Sequence, residues 1–100
     1  MQLTEKQNNT LSLAGWELIN NFSAIEKRFQ FPCFDEVMVF VVHVSEIAKT
    51  HNHHPDVCFG YDYCHLVYTT HSVGNLSKLD FICAAAIDKL GAKAPQSNAD

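Results

Sequence analysis

The sequence predicts one α+β domain in which helices cover one face of an antiparallel sheet. Stretches of strand-like alternation lie on both sides of a helix-like stretch, and the first two strands are joined too closely for a parallel crossover. One hundred residues with 47% hydrophobic and 18% charged side chains suit a single globular core. We expect residues 1–100 to form this domain, with a core at about 13–91 and a frayed tail at 92–100.

A strand pair is predicted within residues 15–31, where apolar side chains recur at every second position in two parts. Asn20 and Asn21 separate the parts, which favours a hairpin, and Pro32 ends the second strand because it has no N–H to donate. Residues 61–71 alternate again and predict another strand, with one face formed by Cys64, Leu66 and Tyr68. A turn follows at residues 74–75, a Gly-Asn pair.

Two long helices are predicted from apolar stripes that repeat at three and four residues. The first covers residues 34–49, with an inward stripe of Phe34, Val37, Met38, Val41, Val44 and Ala48. The second covers residues 77–90, with an inward stripe of Leu79, Ile82, Cys83, Ala86, Ile87 and Leu90, and Gly91 is expected to end it. Residues 3–14 are predicted to form a further short helix.

Charge and composition exclude several kinds of partner. A net charge of −4 argues against a nucleic-acid-binding face, which needs clustered Lys and Arg. The longest apolar run, Val37–Val42, is far shorter than the ~20 residues of a membrane span. The polar N-terminus shows no signal-peptide pattern, and the four cysteines are well separated. We therefore expect reduced thiols, a cytoplasmic location, and neither a membrane nor a nucleic acid as partner.

Residues 49–63, KTHNHHPDVCFGYDY, hold three of the six histidines, and three interpretations compete. A metal site is disfavoured because no spacing among the candidates matches a known ligand pattern: His51, His53, His54, Cys58, Cys64, His65 and His71. Proton transfer suits imidazole, which titrates near ~6.5. It requires that His71 return towards His53 and His54. Solvation alone is the better interpretation for His51 and His65 taken singly.

Beyond the histidines, Ser77-x-x-Asp80 before an apolar periodic run is a capping-box pattern, so Asp80 has a structural explanation. The polar positions also form one ordered series: Lys49, three residues, His53-His54-Pro55, five residues, Tyr61, nine residues, His71, eight residues and Asp80. This series resembles the signature of the pterin-4a-carbinolamine dehydratases, and the match extends over roughly residues 13–90.

The resemblance implies three helices on one face of a four-stranded antiparallel sheet, in a homodimer or homotetramer. It implies loss of water from 4a-hydroxytetrahydrobiopterin to give the quinonoid dihydropterin, without a metal or other cofactor. His53, His54 and His71 would then be the catalytic acids and bases. Four further residues would bind the pterin or orient a histidine: Asp80, Lys49, Pro55 and Tyr61.

Some positions depart from the family pattern. Val57 and Phe59 stand where members often carry Trp and Asn, and Lys49 stands where many carry Glu. These departures leave a second hypothesis open, a non-catalytic dimerisation or assembly cofactor on the same fold. Another pterin-binding role, such as supply to molybdenum-cofactor enzymes, also stays open.

Overall fold

The computed structural model describes residues 14–93. One sheet contains all the strands of this part: β1 Glu17–Ile19, β2 Ala24–Gln30, β3 Asp56–Phe59 and β4 Tyr63–Tyr68. Two α-helices follow β2 and β4: α1 Phe34–His51 and α2 Lys78–Lys93, the latter preceded by a short 3-10 helix, His71–Val73. The predicted α+β class with a four-stranded antiparallel sheet is confirmed. This part of the chain has two α-helices rather than three, and the helix predicted over 3–14 lies almost entirely outside it.

The strands lie in the order β1-β2-β4-β3, and each neighbouring pair is antiparallel. In β4 the predicted alternation is confirmed, since Cys64, Leu66 and Tyr68 are all fully buried. They form one core with residues of both helices, among them Val37 of α1 and Cys83 of α2. Both helices therefore pack on the same face of the sheet, as predicted.

The strand β3 was not predicted from the residue pattern, which treats this segment as a loop. All four of its residues are exposed, so no buried apolar row marks it in the sequence. It lies at the edge of the sheet and pairs only with β4, from Asp56 opposite Val67 to Phe59 opposite Cys64. Alternate side chains of a strand point to opposite faces of the sheet, and because neither face of β3 is buried, no apolar alternation is required.

The helix stripes are rotated from their predicted positions. In α1 the buried residues are Val37, Phe40, Val44 and Ala48, and Phe34 is exposed. Phe40 turns inward because its ring packs on those of Phe29 and Phe31, at centroid distances of 4.8 and 5.0 Å. In α2, two predicted inward residues, Leu79 and Ile82, are exposed.

Two further predictions, the end of α2 at Gly91 and the placement of Phe22 in the first strand, differ from the structure. The helix α2 runs through Gly91 to Lys93, because glycine adopts helical backbone angles as readily as the left-handed angles of a helix end. Phe22, which shares the parity of Trp16 and Leu18, lies in the β1–β2 turn at a positive φ of 66° and is exposed. Neither helix in residues 14–93 has the length and apolar character needed to cross a membrane.

A polar cluster fastens α2 to the first two strands. The Trp16 indole N–H donates to the Asp88 carboxylate at 3.1 Å, and the Lys27 ammonium lies 2.9 Å from the same carboxylate. Lys27 also donates to the backbone carbonyl of Ala14. The rest of the Trp16 side chain is buried in the core.

Candidate active site

A pocket of about 280 Å³ opens where the end of α1 meets the segment that follows β4. Its lining comes from two short stretches of chain: Asn52, His53 and His54 from the first, and Thr69, Thr70, His71 and Ser72 from the second. The three histidines predicted for acid–base chemistry therefore line one pocket. Its volume is near the lower limit of the ~300–1,000 Å³ typical of small-molecule sites.

The end of α1 directs the histidine pair into this pocket. Asn52 adopts left-handed angles, φ 51° and ψ 46°, and its backbone N–H donates to the Lys49 carbonyl at 3.2 Å. The His53 N–H donates to the Ala48 carbonyl at 2.9 Å. These two bonds are those of a Schellman-type helix end, which reverses the chain within one residue. Asn tolerates the left-handed region better than most residues, so the sequence fixes the turn locally.

His53 is the most enclosed of the three histidines. Its side chain is 10% exposed, and its Nε2 lies 2.6 Å from Oδ1 of Asp80, whose side chain is fully buried. The imidazole stacks on the Tyr68 ring with a centroid distance of 5.3 Å and an interplanar angle of 16°. A carboxylate oxygen can only accept a hydrogen bond, so Nε2 carries the proton in this contact. In a neutral imidazole, Nδ1 is then the nitrogen that accepts.

Asp80 occupies the first turn of α2, and its second oxygen has two further donors. Oδ2 accepts from the Ser77 backbone N–H at 2.9 Å and from the Thr70 hydroxyl at 2.8 Å. The Ser77 contact is one half of the capping box that the sequence pattern predicts; the Ser77 hydroxyl bonds Thr70 instead of the Asp80 N–H. The carboxylate thereby caps α2 with one oxygen and contacts His53 with the other. The positive end of the helix dipole also favours a carboxylate at this position.

Tyr68 supports His53 from the core side. Burial raises the pKa of its hydroxyl far above the ordinary value, so the ring stays neutral beside the imidazole. The hydroxyl lies 3.4 Å from the His53 carbonyl oxygen, a long hydrogen bond. The stacked ring, rather than this bond, is the larger contact.

His54 and His71 lie at the pocket opening, and both are exposed. His71 begins the 3-10 helix, which ends at Gly74 with a positive φ of 64°. The turn predicted at residues 74–75 is therefore present. An isolated bridge between Thr70 and Asn75 closes it and holds His71 beside the end of β4.

The structure does not bring the other predicted residues into the pocket lining. Lys49 is exposed on α1, and Pro55 is half-buried before β3. Tyr61 is 74% exposed in the β3–β4 turn. His65, treated as a surface residue, bonds through Nε2 to Glu26 at 3.0 Å. Roles for Lys49, Pro55 and Tyr61 in binding a pterin stay predictions.

Sequence reasoning missed two of the residues that organise the site, Thr70 and Tyr68. The sequence contains a signal for Thr70, because Thr70 continues the every-second-residue row of Leu66 and Tyr68. The structure shows that Thr70 is buried like them. A polar residue at the end of a buried row needs a hydrogen-bond partner, and Asp80 is that partner. Tyr68 was assigned to the core row, but no pattern in the sequence indicates its contact with His53.

The histidines and cysteines are the residues of this chain best suited to ligate a transition metal. Within the range 14–93, no three His, Cys, Asp or Glu side chains converge into a ligand set. All four cysteines are unpaired, with Cys64 and Cys83 buried and Cys33 and Cys58 exposed. The absence of a metal requirement stays a prediction.

The sequence is similar to several bacterial proteins provisionally named pterin-4-alpha-carbinolamine dehydratases. One from Legionella pneumophila (strain Lens) is 47% identical over 75 residues, which are 75% of this chain and 66% of that protein. One from Nitrosomonas europaea is 42% identical over 76 residues, again 66% of its length. The aligned part of the chain thus spans slightly less than two-thirds of these relatives.

Solved structures share the fold. A transcriptional coactivator/pterin dehydratase from Brucella melitensis superposes with a TM-score of 0.78 at 26% identity, covering 90% of this chain and 98% of that one. A pterin dehydratase-like RuBisCO assembly factor of the alpha-carboxysome superposes with a TM-score of 0.67 at 20% identity, covering 83% and 93%. The second likeness concerns the fold alone.

The family model described as pterin 4 alpha carbinolamine dehydratase matches residues 1–90. This match includes every residue of the pocket and the whole of the ordered polar series. The chain belongs to the pterin 4 alpha carbinolamine dehydratase family.

Proposed function

We propose that the protein dehydrates 4a-hydroxytetrahydrobiopterin to quinonoid dihydrobiopterin, as part of tetrahydrobiopterin recycling. The observation that carries the proposal is the meeting of His53, His54 and His71 around one pocket, with His53 held against buried Asp80. Family membership supports the substrate class. Imidazoles supply the acid–base groups that this elimination needs at neutral pH.

The proposed reaction transfers two protons and breaks one C–O bond. The N5 lone pair forms the C4a=N5 double bond while the C4a–O bond breaks. An imidazolium donates a proton to the departing hydroxyl, which leaves as water, and a neutral imidazole accepts the N5 proton. Atoms and electrons balance without an oxidant or reductant. Each positioned acid or base typically contributes ~10²–10⁴-fold to a rate.

The three histidines differ in what constrains them, and this difference supports a division of labour. His53 is fixed by Asp80 on one side and Tyr68 on another, so it suits a role that needs one orientation. His54 and His71 are exposed, so each can exchange protons with water between turnovers. Asp80 stabilises the proton on His53 Nε2 and thereby acts through His53 rather than on the pterin.

The first test is dehydration of freshly generated 4a-hydroxytetrahydropterin, followed by ultraviolet absorbance. We expect a rate well above the spontaneous one, and its loss in the His53→Ala/His71→Ala double variant. His43→Ala is the matched control, because His43 is exposed on α1 and does not line the pocket. A wild-type rate equal to that of buffer, from folded protein, contradicts the proposal.

A chelator test addresses the proposed absence of a metal or other cofactor. We expect dialysis against a chelator to leave the dehydration rate unchanged, because the elimination needs only proton donors and acceptors. Activity that is lost on dialysis and restored by zinc would establish a metal site instead.

We propose that the protein forms a homodimer or homotetramer, and the edge strand β3 supports this. Its outer side pairs with no strand of the described part, and its side chains Val57 and Phe59 are each 41% exposed. An exposed apolar edge strand favours pairing with a second copy in a two-fold arrangement. Phe59→Lys should reduce the mass measured by light scattering to that of a monomer; an unchanged mass rules out β3 as the contact.

The unpaired cysteines support a cytoplasmic location, because free thiols persist in a reducing compartment. The test is to treat intact cells with a thiol reagent that does not cross the cell membrane. Although Cys58 is exposed on the protein, we expect it to stay unmodified.

A second candidate function is a non-catalytic dimerisation or assembly cofactor. It is favoured by exposed apolar side chains near the β3 edge, where the rings of Phe34 and Phe59 lie 6.4 Å apart. The structural relative from Brucella melitensis is named both a transcriptional coactivator and a pterin dehydratase. Folded protein with no dehydratase activity would favour this candidate, and its partner would then bind equally well to the His53→Ala/His71→Ala variant.

A further inference from the structure

Thr70 links the two halves of the candidate active site. It directly precedes His71, and its hydroxyl donates to Oδ2 of Asp80, whose other oxygen contacts His53. Thr70 and Asp80 are the two polar or charged residues that are buried in the described part of the chain. A buried pair of this kind holds one geometry because neither partner can turn to water.

The backbone of Thr70 is held as firmly as its side chain. Its N–H donates to the Asn75 carbonyl at 3.1 Å, and its own carbonyl accepts from the Val73 N–H at 3.1 Å. These bonds fix the residue between the end of β4 and the 3-10 helix that carries His71. The position of the Thr70 hydroxyl, and with it that of Asp80, is therefore set by the same turn that sets His71.

The direction of the hydroxyl proton follows from its neighbours. Thr70 has one proton, and at 2.8 Å it goes to the Asp80 carboxylate, which can only accept. The Ser77 hydroxyl, 2.7 Å away, then donates to Thr70. The order of donation runs from Ser77 through Thr70 to Asp80. Without the Thr70 hydroxyl, Oδ2 keeps only the Ser77 backbone N–H, and the carboxylate is held by one hydrogen bond fewer.

We propose that Thr70 is a positioning residue for the dehydration: it fixes the rotamer of Asp80, and so keeps the proton of His53 on Nε2. This inference rests on the proposed function. Thr70 acts through Asp80 and need not touch the pterin. A carboxylate held by one hydrogen bond fewer would fix His53 less firmly, and displacement of an acid–base group by about 1 Å can lower a rate about 10²-fold.

The test compares Thr70→Val, which keeps the shape and removes the hydroxyl, with Thr70→Ser, which restores the hydroxyl. We expect Thr70→Val to lower kcat about tenfold to a hundredfold and Thr70→Ser to recover most of it. Thr70→Ala is made in parallel, since it adds no volume and folds if the valine variant does not. Ser45→Ala is the control, because it removes a hydroxyl that bonds the Val42 carbonyl on α1, outside the pocket and outside this hydrogen-bond chain.

A second readout does not depend on catalysis. The ring ¹⁵N shifts of His53, assigned with a His53→Gln variant, report which nitrogen carries the proton. We expect the Nε2–H form in wild type and Ser45→Ala, and a mixture of tautomers in Thr70→Val. Wild-type shifts and wild-type kcat in Thr70→Val would overturn the proposal. If wild type has no dehydratase activity, the proposed function fails, and the nitrogen shifts alone still decide whether Thr70 positions His53.

Discussion

Asp80 Oδ1 lies 2.6 Å from His53 Nε2, although 27 residues separate the two in sequence. The contact brings the end of α1 to the start of α2. It joins the one fully buried carboxylate of the described part to the one pocket histidine that is mostly enclosed. A short bond between a carboxylate and an imidazole N–H is stronger than a neutral hydrogen bond. The stability of this corner of the fold and the orientation of His53 therefore depend on the same carboxylate.

Replacement of Asp80 by Asn should lower both activity and stability. An amide presents one acceptor and one NH₂ group, so it cannot accept from His53 on one side and from Ser77 and Thr70 on the other. We expect the dehydration rate to fall at least about tenfold and the free energy of unfolding to fall by about 1–3 kcal/mol. Urea denaturation and the absorbance assay measure the two effects.

The control for this prediction is Asp88→Asn. Asp88 lies on the same helix, and its carboxylate bonds Lys27 and Trp16 outside the pocket. It should lower stability and leave the rate of the folded protein unchanged. Equal loss of rate in both variants would mean that Asp80 matters only for folding.

The contact of Tyr68 with His53 predicts different effects for two substitutions. Tyr68→Phe keeps the stacked ring and removes only the 3.4 Å hydroxyl contact, so we expect a rate within about threefold of wild type. Tyr68→Leu removes the ring from beneath His53 and leaves a cavity, which costs about 2–4 kcal/mol and lowers the rate more strongly. If Tyr68→Phe were as slow as Tyr68→Leu, the hydroxyl rather than the ring would support His53.

Much of the fold follows from the sequence because apolar periodicity is local. The β4 row was predicted from it and is buried, whereas only part of each predicted helix stripe is buried: Val37, Val44 and Ala48 of α1, and Cys83 and Ile87 of α2. The edge strand β3 was not, because an exposed strand has no buried row to indicate it. The rotation of α1 was missed because Phe40 faces inward only when Phe29 and Phe31 are placed beside it by the sheet.

The candidate site likewise contains residues that the sequence indicates and residues that only the tertiary structure reveals. The residue spacing brought out the histidines and Asp80, and the resemblance supplied their possible roles. The partners that orient them are tertiary contacts: Thr70 reaches Asp80 across ten residues, and Tyr68 reaches the ring of His53 across fifteen. No local pattern specifies such contacts. Tyr61 belongs to the ordered polar series and yet lies outside the pocket lining, so position in that series does not by itself place a side chain in the pocket.

The buried core groups predict that stability falls at alkaline pH. Burial raises the pKa of the Cys64 thiol from 9.0 to about 11, and burial raises that of Tyr68 as well. The unfolded chain therefore loses these protons first. The stabilisation is fully present below pH 9.0 and is lost as pH rises through about 11. For Cys64 the loss amounts to about 2–3 kcal/mol.

Urea denaturation between neutral pH and the upper end of that window measures this slope. Cys64→Ala lowers stability at every pH, but it should also flatten the alkaline slope, because one raised pKa is gone. Cys58→Ala, at an exposed cysteine, should leave the slope as it is in wild type. Identical slopes in wild type and Cys64→Ala would remove Cys64 from this explanation.

Gly60 is the position where a single added methyl group should disturb the β3–β4 turn. A Cβ there would lie 2.3 Å from Cε1 of Tyr63. The Arg28 guanidinium carbon lies over the same ring, 4.0 Å from its centroid. The ring must move, and we expect Gly60→Ala to lower the free energy of unfolding by about 1–3 kcal/mol.

A double-mutant cycle with Tyr63→Ala isolates the cause: without the ring, the same methyl group should cost much less. Because neither residue lines the pocket, the dehydration rate of folded Gly60→Ala should equal that of wild type. An equal loss of stability in both backgrounds would assign the effect to the backbone of the turn rather than to the ring.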